Sequence, residues 1–232
     1  MEVQVLSWAP RMNKYKVEYQ VARGRSSSVR FSGKKVVIRL SRFAHGRYRD
    51  EVIAKFLKWA DKRIKKAGTN VLGAEYKDGG RILAHNKIYE INVVLRNKRN
   101  AKAVLEDGYL IKIAEGSDIK FWAEQIIIED QADYLNETVD ELNRLYFGKK
   151  YGTVKFKRVS SRFGSCSRHG NINIAFRLLF APKDVFRYVC VHELAHLIEF
   201  NHSRRFWAQV SEAIPDYKIS EKWLKSSGFL LG

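Results

Sequence analysis

The stretch HELAHLIEFNH, residues 192–202, decides how the rest of this chain is read. Three of the protein's six histidines fall within it, and a glutamate directly follows the first. Its surroundings, YVCVHELAHLI at residues 188–198, carry no charge apart from Glu193 and the two histidines. The apolar run predicts a helix over about 183–200. On such a helix His192 and His196 are four residues apart, so their rings stand one above the other on the same face. Two imidazole nitrogens at that spacing can reach one ion. Glu193 is turned about 100° from His192. It is therefore placed to act on water beside a metal rather than to bind the metal itself, which is the chemistry that His-Glu-x-x-His supplies. A catalytic zinc commonly takes three protein ligands. His202, six residues after His196, is the nearest candidate for the third. Asn201 is expected to end the helix in a left-handed cap, and Ser203 to cap a following helix, RRFWAQVSEAI. The competing readings are a structural metal site and a surface helix whose histidines face water.

Pro182 suits the start of the motif helix, because a first-turn proline gives up no needed hydrogen bond. Upstream, TVKFKRVS and NINIAF read as strands. The second of these is expected to offer an edge for an extended peptide. A long helix is expected from a Ser117 cap to about Phe147, with Trp122, Ile126, Ala132, Leu135, Val139 and Leu142 near its buried stripe. A last helix covers roughly 218–227.

The first half reads differently. KYKVEYQV, SSSVRF and KKVVIRLS alternate as strands, with SGKK as a turn. Residues 48–66 change to helical spacing through Val52, Ile53, Phe56, Leu57, Ala60 and Ile64. After KDGG come RILAH, KIYEINVVL, AKAVLE and YLIKIAE, with turns at 96–100 and at Asp107-Gly108. The expected class is α+β: a basic, antiparallel β-rich module with one helix over residues 1–116, then a domain over 117–232 that carries the motif.

The charge divides at the same place. The 232 residues carry a net charge of +18, and residues 1–116 hold 26 Lys/Arg against 11 Asp/Glu, leaving 17 against 14 for the remainder. Such a field attracts polyanions, nucleic acid among them. No stretch is long and apolar enough to span a bilayer, and the opening MEVQVLSWAP does not read as a signal peptide. Two cysteines, Cys166 and Cys190, argue against a disulfide framework. The expectation is a soluble cytoplasmic protein.

SRFGSCSRHGNINIAFRLLFAP (161–182), YVCVHELAHLIEFNHSRRFWAQVSEAIPDY (188–217) and WLKSSG (223–228) resemble the YgjP-like metallopeptidases, relatives of the SprT-like and Spartan zinc proteases. The resemblance implies a zincin-like core of a small sheet, a backing helix and the motif helix. It implies one zinc per chain on His192, His196 and His202, Glu193 as catalytic base, and a polypeptide substrate. Two positions depart from the family pattern: Phe163 stands for a tryptophan, and Ala175-Phe176 for Asn-Trp. Glu199 occupies the place of the turn glycine in the metzincins, which argues against that clan.

Arg162 and Tyr217 are candidates for oxyanion support, and Asp216 and Glu199 for orienting a ligand histidine. Cys166 and Cys190 read as packing residues, and His169 as idle. Two other functions stay open: a metal-dependent nucleotide phosphohydrolase, and a protease recruited to nucleic acid by the basic half.

Overall fold

The computed structural model describes residues 16–22, 24–32, 35–67, 74–85, 87–95 and 102–231. The class is α+β, with ten strands in three small sheets and six α-helices among the described residues. The residues fall into two compact units, one within 1–72 and 224–232, the other within 73–223.

In the first unit, strands β1 (Lys16–Ala22), β2 (Ser28–Ser32) and β3 (Lys35–Ser41) form a sheet in the order β1-β3-β2. Helix α1 (Gly46–Ala67) covers it. Val36, Ile38 and Leu40 alternate along β3 and meet Ile53 and Ala60 of α1 in one buried cluster. Period two on the strand and seven residues on the helix point both sets at the same core. The expected SGKK turn includes 33–34, outside the described residues.

The second unit begins with β4 (Arg81–Ala84), β5 (Lys87–Val94), β6 (Ala103–Glu106) and β7 (Leu110–Ala114), in the order β4-β5-β7-β6. Asp107 and Gly108 both adopt positive φ, 51° and 73°. This is the geometry of the tight hairpin turn that Asp-Gly favours. The expected turn at 96–100 lies outside the described residues. The sheets are mixed, not antiparallel as expected: β1 runs parallel to β3, and β5 parallel to β7. Alternation along a strand records which face is buried and says nothing of the partner's direction.

The expected long helix is broken into α2 (Ile119–Asp130), α3 (Ala132–Leu142) and a π-helical turn at Asn143–Phe147. The cap is Asp118, whose carboxylate accepts from Phe121 N at 3.0 Å, rather than Ser117. The break falls at Gln131, where the side chains of Asp130 and Gln131 turn to Tyr89 of β5. In α2 the buried residues are Ala123 and Ile127, one position on from the expected Trp122 and Ile126. The expected boundary at Gly116 falls within the second unit, and contacts join the residues on either side of it. His85 N donates to Leu179 O at 2.9 Å, and its ring packs edge-on against Phe186 at 4.8 Å. Gly116 thus lies inside the second unit.

Three short strands complete that unit: β8 (Val154–Lys157), β9 (Gly164–Cys166) and β10 (Ile172–Ala175), in the order β8-β10-β9. NINIAF is therefore the central strand, paired on both sides, and not an edge. The edges are β8 and β9, and β9, at three residues, is too short to show a period. A 3-10 turn at Phe176–Phe180 leads to α4 (Lys183–Ala195), then α5 (Arg204–Ala213) and α6 (Tyr217–Ser227).

Candidate metal centre

Helix α4 buries most of its surface, including Val185, Phe186, Val189, Cys190, Leu194 and Ala195. It ends sooner than expected, at a cap on His196. The chain then turns through Leu197 to Glu199, held by bonds to the carbonyls of Leu194 and Ala195. Asn201 takes no left-handed conformation. Its side-chain oxygen accepts from Ser203 N at 3.1 Å, and Ser203 Oγ accepts from Phe206 N at 3.3 Å to start α5. This connection carries His202 back over α4.

The result is a cluster of His192, His196 and His202 with one ring nitrogen of each within 4.8 Å of the others. His192 Nε2 and His202 Nε2 are 3.0 Å apart. Burial, then the neighbouring His196 and His202, push the His192 pKa down to about 3. Burial lowers His196 as well. Both rings are thus neutral near pH 7, as metal ligands must be. His196 Nδ1 pairs with the carbonyl oxygen of Glu199 at 3.1 Å. A proton held there leaves the lone pair of Nε2 free for a cation. The orienting group is the backbone of Glu199, not its carboxylate. Three converging imidazoles, with His192 Nδ1 buried and unpartnered, are a donor set that fits zinc.

Glu193 is 5% exposed. Burial raises its pKa to about 8, and the charge of Arg162 opposes the rise. Arg162 is exposed, and its charge opposes that rise without placing it as oxyanion support. A further neighbour was not legible in the sequence: Gly164 of β9, over which Glu193 lies so closely that a Cβ would meet Oε1 at 2.4 Å. Cys166 is half-buried on the same strand. Burial and then Glu193 push its thiol up to about 11, which keeps it protonated. Cys190 is fully buried on α4.

The other candidates separate. Tyr217 stacks between Tyr188 and Trp207, at ring distances of 6.2 and 5.2 Å. Both of those rings also pack edge-on against His192. Asp216 is exposed at the start of α6, and no hydrogen bond joins its carboxylate to the triad among the described residues. His169 is exposed and outside the cluster. Trp207 reads from sequence as a core residue, and nothing in the spacing shows that its ring and that of Phe206 line the triad.

The profile of a family described as "YgjP-like, metallopeptidase domain" matches residues 25–227. Among solved structures, the chain is similar to the metallopeptidase zymogen abylysin of Pyrococcus abyssi, at 19% identity and a TM-score of 0.37, over 40% of this chain and 95% of that one. It is also similar to the zymogen jannalysin of Methanocaldococcus jannaschii, at 17% identity and a TM-score of 0.35, over 39% and 91%. No curated protein matches. Among the described residues, no helix is long and apolar enough to cross a membrane.

Proposed function

Starting from the fact that this chain belongs to the YgjP-like metallopeptidase family, we propose that it is a zinc peptidase with Glu193 as its general base. The observation that carries this reading is the convergence of His192, His196 and His202 beside one buried carboxylate. A zinc ion held by the three rings would supply Lewis acidity, acidifying water and polarising a carbonyl.

Glu193 takes the proton from the attacking water and later delivers it to the departing amine. Its burial suits both transfers. Burial raises the Glu193 pKa to about 8 in the metal-free chain, so its carboxylate is a stronger base than an ordinary one, and the charge of a bound zinc would favour the ionised form that accepts the proton. Arg162 tempers that rise with its charge and keeps the carboxylate within reach. Gly164 leaves the space in which the carboxylate lies. Strand β9 pairs only with β10 among the described residues. Its outer side is a template for an extended polypeptide, bound through main-chain hydrogen bonds with little regard for sequence.

The test is zinc content and hydrolysis of an unfolded protein, before and after chelation, for the wild type and for Glu193→Gln. The variant is expected to keep its zinc and lose roughly 10²–10⁴-fold in turnover. Full activity in that variant removes Glu193 from its role. Turnover of nucleoside triphosphates with none of polypeptide removes the peptidase reading.

A further inference from the structure

We propose that Phe206 is a positioning residue for the metal centre: its ring is the common backstop of all three histidines. The proposal rests on reading the triad as a zinc site. The ring of Phe206 lies 4.9 Å from His192, 4.6 Å from His196 and 4.7 Å from His202. The histidine rings lie 5.1, 5.0 and 4.9 Å from one another. Six nearly equal distances place the four rings at the corners of a tetrahedron. Phe206 is fully buried whereas His202 is exposed. The phenyl ring therefore holds the core-side corner, and the imidazoles open toward solvent.

Its own position is fixed from two directions. Ser203 accepts from its backbone N–H, so the short turn that delivers His202 also delivers Phe206. Trp207 then packs edge-on at 5.1 Å and is itself stacked on Tyr217. A phenyl ring has neither a lone pair nor an acidic proton, so it cannot compete for the cation. What it does is remove rotamer freedom from three ligands at once. Without it, that freedom must be given up when the metal binds. It also keeps water from the inner side of the ligands, and such outer groups commonly matter to affinity.

The experiment compares Phe206→Leu with Phe186→Leu. Phe186 is also fully buried, on α4, but packs against His85, Tyr134 and Phe156 instead of the triad. Zinc affinity is measured by competition with a chelating dye, and ligand geometry by the visible absorption of the Co2+-loaded protein. F206L is expected to bind zinc roughly 10–100-fold more weakly and to show an altered cobalt spectrum. F186L is expected to lose a similar amount of metal-free thermal stability, with affinity and spectrum unchanged. Should F206L not fold, Phe206→Met is measured in the same way. Wild-type affinity and spectrum in the Phe206 variant, or an equal loss in F186L, overturns the proposal while leaving the triad standing. A wild-type chain that binds no zinc overturns both.

Discussion

Gly164 and Glu193 occupy each other's side-chain space. A Cβ built on Gly164 would stand 2.4 Å from Oε1 of Glu193 and 2.7 Å from its Cδ and Cγ. Three atoms of one side chain are involved, so a methyl group there displaces the whole carboxyl end of Glu193 rather than tilting one oxygen. Gly164→Ala is accordingly expected to retain zinc and lose on the order of 10²-fold in kcat, the usual cost of misplacing a reacting group by about 1 Å. Zinc content and kcat measured on the same sample check this. Unchanged kcat would show that the glutamate works equally well from another position.

Protons and zinc compete for the same ring nitrogens. A lowered ring pKa moves that competition to more acid pH. Between pH 7 and 5.5, a ring with an ordinary pKa near 6.5 would weaken zinc binding by about eightfold. His192, held down to about 3, is expected to contribute almost none of that loss, and His196, also lowered, less than the ordinary share. Zinc affinity at the two pH values gives the answer. A fall of about seventyfold or more would mean that His192 and His196 both titrate as ordinary imidazoles.

His85 provides a pH test of stability away from the metal centre. Burial pushes its pKa down to about 4, against a weaker upward pull from the Leu178 carbonyl. The unfolded chain takes up this proton near pH 6.5 and the folded chain only near 4. Stability from this group is therefore full above 6.5 and is lost as pH falls toward 4. Its backbone has φ of 50°, which asparagine tolerates. Between pH 7 and 4 the wild type is expected to lose on the order of 2 kcal/mol more than His85→Asn. Denaturant unfolding of both proteins across that range measures the difference, and parallel curves would contradict it.

Tyr89 is fully buried. Its hydroxyl donates to Asp130 and accepts from Gln131 Nε2. Tyr89→Phe takes one hydrogen bond from each partner at the junction of α2 and α3, leaving Asp130 with Lys87 and Gln131 with Asp130, and a loss of about 1–2 kcal/mol is expected. Denaturation midpoints check the value. A neutral result would mean that water replaces the hydroxyl.

Much of the local structure was legible in the chain. The alternation of Val36, Ile38 and Leu40, the helical spacing of Ile53 and Ala60, the Asp107-Gly108 turn and the Ser203 cap each follow from interactions within a few residues. The four-residue step from His192 to His196 belongs to the same class, because helix geometry alone puts both rings on one face. Other features depend on partners far away in sequence. Helix α2 stops at Gln131 because Tyr89, 42 residues earlier, holds its side chain. The strand NINIAF became central because β9, which shows no period of its own, pairs beside it. By itself the sequence named His192, His196 and His202 as candidate ligands and determined on which helix face two of them stand. Only the tertiary structure decided that Phe206 backs the three histidines and that Gly164 makes room for Glu193, since short-range periodicity carries no record of what packs on the other side.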